Sequence, residues 1–182
     1  MQEKKKILAI SGSTRKDSTN HKILKIIAEL VSNKVEVKFF DGLSTLPHFN
    51  PDLDKANALP KEIEVFRNQI SESDGIIICT PEYIFSLPGS LKNALEWCVS
   101  TTVFSDKKVA LITASASGQK GHQELNLIMK TLGTVFNDET SILISGIRGK
   151  IGDDGKIIHE ETLADIINLV KKLLESLTTG DS

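Results

Sequence analysis

Short apolar runs of strand length alternate along the chain with longer segments whose apolar residues recur every three or four positions. Fully buried strands and half-buried helices have different hydrophobic periods, so this alternation predicts a parallel sheet with helices on both faces. Strands are expected at Lys6 to Ile10, Val35 to Phe40, Gly75 to Cys79, Lys108 to Thr113 and about Val135 to Ile144, the last interrupted by a polar stretch at Asn137 to Ser141. The third, Gly-Ile-Ile-Ile-Cys, is almost continuous in β-branched residues and reads as a central strand covered on both sides. Helices are expected over about His21 to Ser32, from Pro60 to about Ser73, and over Ser90 to Val99, His122 to Leu132 and Glu160 to Leu177. In the first, Ile23, Ile26, Ile27 and Leu30 form the stripe expected to face the core. Leu43 to Leu59 is irregular and proline-punctuated, and is expected to cross the sheet's carboxyl edge. A turn at Asp153-Asp154-Gly155 precedes the last helix. No repeat or linker interrupts the pattern, so residues 1–182 are read as one doubly wound α/β domain, with 178–182 as a frayed tail.

Composition narrows this picture only a little. Of 182 residues, 40% are hydrophobic and 25% charged, the profile of an ordinary folded domain. A net charge of −2 offers no general attraction to nucleic acid or to an anionic membrane. The polar turn at Ser11 cuts the first apolar run far short of a signal sequence, and no run approaches a membrane span. Cys79 and Cys98 are far apart and outside any Cys-x-x-Cys spacing, so they read as buried thiols in a cytoplasmic protein.

The chemistry concentrates in the turn Gly12-Ser13-Thr14-Arg15-Lys16-Asp17-Ser18-Thr19-Asn20, between the first strand and the first helix. The first N–H groups of a helix have no partner within the helix and attract an anion. Ser13, Ser18, Thr19 and Asn20 add side-chain donors and Arg15 adds a forked cation. The turn has neither the glycines of a dinucleotide fingerprint nor the Lys-Ser/Thr of a P-loop, and its hydroxyls suit a terminal phosphate monoester. The same residues also serve as common turn formers and caps.

In a doubly wound sheet, ligands sit beyond the carboxyl ends of the strands where the strand order reverses. That rule brings together the cradle, the turn Thr80-Pro81-Glu82-Tyr83-Ile84-Phe85-Ser86 and the small-residue loop Ala114 to Gly121. Tyr83 and Phe85 can flank a flat ring, with Tyr83 alternatively covering the sheet edge and Phe85 alternatively serving a subunit contact. Backbone N–H groups around Ser117 and Gly118 are candidate donors to ring carbonyls. Trp97 is expected in the core or an interface. Asp41, at the end of the second strand, is read as half of a turn with Gly42. No loop presents a paired base and nucleophile, so no catalytic side chain is expected. His21, His48, His122 and His159 lack metal-ligand spacing and are expected at the surface or at caps.

Taken together, Gly12-Ser13-x-Arg15-x-x-Ser18-x-Asn20, Pro81-Glu82-Tyr83 and Leu87-Pro88-Gly89-Ser90-Leu91-Lys92-Asn93-Ala94-Leu95-Glu96-Trp97 resemble the NAD(P)H-dependent FMN reductases, which include quinone, azo-dye and chromate reductases. The resemblance implies a flavodoxin-like five-stranded sheet of order 2-1-3-4-5 holding FMN, with NADPH or NADH as electron donor. Carried over, it assigns Ser13, Arg15, Ser18, Thr19 and Asn20 to the FMN phosphate. Pro81, Glu82, Tyr83 and the backbone of Ile84 would border the ring, and Ser115, Ser117 and Gly118 would close its other edge. It also implies a homodimer or homotetramer that passes electrons to a small acceptor such as a quinone, azo compound, free flavin or metal oxyanion. One departure stands out. The family commonly has Asn and a small residue after Pro-Glu-Tyr where this chain has Ile84 and Phe85, so the pocket above the ring is expected to be narrower and more apolar. Two other readings remain at this level: a flavodoxin-like electron carrier, and a site for a different phosphorylated ligand.

Overall fold

The computed structural model describes residues 4–55, 57–152 and 154–178. Five strands, β1 (Lys6–Ser11), β2 (Glu36–Phe40), β3 (Gly75–Thr80), β4 (Lys108–Ser115) and β5 (Ser141–Ser145), form one sheet in the order β2-β1-β3-β4-β5. Every neighbouring pair is parallel, with Ile7 opposite Val37 on one side and Gly75 on the other. The expected topology is therefore the observed one. All six residues of β3 are buried, as its β-branched run requires.

Alternation along the strands splits the core into two layers. Ile7, Ala9, Ile77 and Ile112 meet α1 (Thr19–Val31) and α5 (Glu160–Thr178). Leu8, Ile10, Ile76 and Leu111 meet α2 (Lys61–Glu72), α3 (Gly89–Glu96) and α4 (Gln119–Thr131). Each fully buried Ile or Leu contributes about 1.5–3 kcal/mol, so the two layers hold the strand ends, and the loops leaving them, in fixed positions.

The helices and the last strand depart from expectation in informative ways. Helix α1 begins at Thr19 rather than His21, and its buried stripe is Asn20, Ile23, Leu24, Ile27 and Val31; Leu30 is 45% exposed. Asn20, Leu24, Ile27 and Val31 recur at helical spacing on one face, which leaves Leu30 outside the contact line. Strand β5 starts only at Ser141. The Asn137 carboxamide oxygen accepts the N–H groups of Glu139 and Thr140, which folds the polar stretch into a turn, and Val135 keeps one isolated bridge to Lys108. Helix α3 ends at Glu96, and α4 starts at Gln119.

Trp97 lies wholly in the core, its indole N–H donating to the Pro47 carbonyl at 2.8 Å and its ring meeting Phe49 edge-on. The irregular loop is tied to α3 through Asn93, which accepts from Phe49 N–H and donates to Pro47, and to α2 through Asp54, which pairs with Arg67 at 2.7 Å. In the turn before α5, Gly152 N–H donates to Lys156 and Gly155 N–H to Gly152; Asp153 lies outside the described residues. Thr178 closes α5, and the rest of the expected frayed tail, 179–182, also lies outside them.

Candidate active site

The chain leaves β1 through Gly12, whose N–H extends the ladder to the Cys79 carbonyl at 2.8 Å. The next residues fold on one another. Ser13 N–H donates to the Ser11 hydroxyl, that hydroxyl donates back to the Ser13 carbonyl, and the Ser13 hydroxyl accepts from Arg15 N–H. Ser18 is the N-cap of α1, extended at φ −72°, ψ 142°, with its hydroxyl accepting from His21 N–H at 3.1 Å. That cap leaves the N–H groups of Thr19 and Asn20 without partners among the described residues, at the positive end of a 13-residue helix. The hydroxyls of Ser13 and Ser18 accept within the turn, so each O–H remains a donor toward a ligand. Arg15 is exposed and has no carboxylate partner among the described residues.

Asn20 corrects one expectation. Its side chain is buried, with the amide donating to the Ala114 carbonyl and the oxygen accepting the Cys79 thiol proton at 3.2 Å. Burial pushes the Cys79 thiol pKa up, so it stays protonated and can make that bond. The Asn20 carboxamide thus ties α1 to the ends of β3 and β4.

At the other end of the site, Glu82 bonds with both carboxylate oxygens to the start of α4, accepting from Gly118 N–H at 3.2 Å and Gly121 N–H at 2.7 Å. Glu124 of α4 returns the link, accepting from Leu87 N–H. The loop after β3 and the loop after β4 thus form one unit. Beyond Glu82 the backbone turns tightly, Tyr83 and Ser86 exchanging N–H···O bonds of 2.9 and 3.1 Å around Ile84 and Phe85.

A cavity of about 340 Å³ joins the two ends. Ser13, Arg15, Ser18, Thr19 and Asn20 line one end, and Pro81, Glu82, Tyr83 and Ser115 line the other, so nine of the expected residues converge. Three do not. Ile84 is 95% exposed at the tip of its turn. Ser117 does not line the cavity and its hydroxyl bonds to Gln119, while the Gly118 N–H is already taken by Glu82 and is not a free donor to a ring. Ala114 near the end of β4 and Ala116 just beyond it give that wall a small-residue surface instead.

Two lining residues, Ile147 and Arg148, escape the sequence reading. They follow β5, where Ser145 Oγ–H donates to the Ser117 carbonyl, Gly146 N–H donates to Ala116, and Gly146 turns the chain at φ +65°. The strand-end rule applied to the fifth strand would have pointed to them. His122 also lies deeper than a cap, with Thr113 Oγ1 3.0 Å from Nδ1 and Ser141 Oγ 3.4 Å from Nε2, beneath the loop after β4.

The donor set divides as a phosphorylated ring compound requires: two unpaired backbone N–H groups, hydroxyls and a guanidinium at one end, and a proline, a tyrosine and two alanines at the other. FMN fits that division. Residues 5–146 match the family described as NADPH-dependent FMN reductase. The NADPH:quinone oxidoreductase of Arabidopsis thaliana is 34% identical over 165 residues, covering 86% of this chain and 84% of the relative. The quinone reductase of Escherichia coli (strain K12) is 27% identical over 169 residues, 90% of each. The solved flavoenzyme NAD(P)H:(acceptor) oxidoreductase FerB of Paracoccus denitrificans superposes with a TM-score of 0.81 at 26% identity, covering 96% of this chain and 98% of that one. A match running through all five strands and both ends of the cavity establishes that this chain belongs to the NADPH-dependent FMN reductase family.

Proposed function

We propose that the cavity holds FMN with its phosphate on the first turn of α1 and its ring between Tyr83 and the Ala114–Ala116 wall, and that the protein passes electrons from NADPH or NADH to a quinone or a comparable small acceptor. The observation that carries this reading is the presence, in one cavity, of the unpaired Thr19 and Asn20 N–H groups and the Pro81–Tyr83 wall. FMN held there would supply the redox chemistry, hydride acceptance from the nicotinamide and electron delivery to the acceptor.

The chain's own residues bind and orient. Thr19 and Asn20 N–H, the hydroxyls of Ser13 and Ser18, and the Arg15 guanidinium neutralise the phosphate. Glu82 keeps the loop that carries Tyr83 locked to α4, so that the ring's two walls hold a constant separation. Arg148 adds a second forked cation at the cavity wall. Donor and acceptor use the same open side of the cavity in turn, which makes the exposed Tyr83 edge the shared entrance.

An oligomer, a homodimer or homotetramer, is part of this reading. It is supported by Val99, which is 62% exposed just beyond α3. A cytoplasmic setting is supported by two free, buried thiols, Cys79 and Cys98. Among the described residues no helix is long and apolar enough to cross a membrane.

Anaerobic mixing of the FMN-loaded protein with NADPH or NADH tests the reading. Bleaching of the oxidised flavin band, followed by its return on adding a quinone, is the expected result. A band that persists with both nucleotides would leave the protein as an electron carrier and overturn it.

A further inference from the structure

We propose that Ile84 and Phe85 form an apolar rim at the mouth of the cavity that favours quinones bearing a hydrocarbon tail over compact polar acceptors. The inference rests on the flavoenzyme reading above and refines its substrate class.

The rim is built at a cost. Tyr83 and Ser86 close a two-residue turn in which both central residues have positive φ, 52° at Ile84 and 58° at Phe85. Turns of that form normally use Asn-Gly or similar pairs. A β-branched residue there is a genuine outlier, because its side chain crowds the backbone. Burial does not offset this strain, since Ile84 is 95% and Phe85 74% exposed. The fold therefore carries an unfavourable backbone and unfavourable hydration at the same two residues, with little burial within the chain in return. Strain of this kind concentrates where a ligand is handled.

The position of the turn says which ligand. Its first residue, Tyr83, lines the cavity, and its base is clamped on both sides, by Glu82 to α4 and by Leu87 N–H to Glu124. The tip is thus fixed beside the entrance. A compact quinone resting in the cavity would leave the tip uncovered, since neither Ile84 nor Phe85 lines it. An alkyl or prenyl tail leaving the ring passes over Ile84 and Phe85 and removes hydrocarbon from water on both sides. An oxyanion gains nothing from these residues, which carry no charge and no side-chain donor.

The test compares kcat/KM, with NADPH as donor, for n-decyl-substituted and unsubstituted benzoquinone. Two double variants are used: I84N/F85G, whose residues suit the turn, and I84V/F85L, which keeps the hydrocarbon. The decyl-to-plain ratio should fall roughly tenfold in I84N/F85G and stay within about twofold of wild type in I84V/F85L. An unchanged ratio in I84N/F85G overturns the proposal. If light scattering then shows a changed oligomeric state, the tip is a contact between copies. A fall of equal size in I84V/F85L overturns it too, assigning the effect to turn geometry. Wild-type protein that reduces neither quinone brings down the underlying flavoenzyme reading, whereas wild-type turnover of both with a ratio the variants do not move removes the rim alone.

Discussion

The Glu82 carboxylate accepts the Gly121 N–H at 2.7 Å, joining a residue after the third strand to the first turn of the fourth helix. Its second oxygen takes Gly118 N–H, so one side chain satisfies two of the donors that a helix start leaves open. Hydrogen bonds to a charged group are worth about 1.5–3 kcal/mol each, and both bonds here are only partly screened. Glu82→Ala should therefore lower the unfolding free energy by about 2 kcal/mol and weaken FMN binding as the two ring-side loops separate. Urea denaturation and a flavin titration of the same variant check both effects. A variant with reduced stability and unaltered FMN affinity would detach Glu82 from the site.

Gly12 is where the cradle meets the sheet. A Cβ at this position would stand 2.2 Å from Thr80 Oγ1 and 2.5 Å from Thr80 Cβ. Gly12→Ala is expected to cost about 1–3 kcal/mol, as overpacking of a close-packed site does. Adding Thr80→Ala should rescue it only in part, since Thr80 Cβ alone remains too close. Thermal denaturation of the single and double variants measures the difference.

His122 makes the stability depend on pH. Burial holds its pKa below the ordinary 6.5. Between the folded and unfolded values the unfolded chain binds the proton more readily, so stability is full above about pH 6.5 and falls as the pH drops below it. His122→Gln should flatten that fall, because the amide keeps hydrogen-bonding capacity near Thr113 and Ser141 without titrating. Urea midpoints at about pH 7.5 and about pH 5.5 are the comparison, and an equal loss in both proteins would contradict the assignment.

The strained turn gives a prediction separate from acceptor choice. Asn and Gly enter the left-handed region that Ile84 and Phe85 occupy at φ 52° and 58° far more readily. I84N/F85G should thus be more stable than wild type by about 1–3 kcal/mol. Loss of stability in equilibrium unfolding would mean that the two side chains support the fold despite their exposure.

Much of this was legible in the residues. The β-branched run at Gly75 to Cys79 read as a strand covered on both faces, and the hydroxyl-rich turn from Ser13 to Asn20 read as a strand-to-helix junction, as both are. What escaped depended on partners distant in sequence. Asn20 has the chemistry of a phosphate ligand, yet its carboxamide is claimed by Cys79 and Ala114, 59 and 94 residues away. Gly118 looks like a free donor until Glu82, 36 residues earlier, takes its N–H. Arg148 stands two residues after Gly146 in a segment with no hydrophobic period, so only the closure of the sheet brings it to the cavity.

The central claim is that the first turn of α1 grips a phosphate while the ring lies against Tyr83. Equilibrium titration of the flavin-free protein with FMN and with riboflavin isolates the phosphate. Charged hydrogen bonds from Thr19 and Asn20 N–H and from Arg15, at roughly 1.5–3 kcal/mol each, predict FMN binding at least about a hundredfold tighter. Ser18→Ala, which removes one hydroxyl and the helix cap, should narrow that gap without closing it. Equal affinity for the two flavins in the wild-type protein would contradict the account.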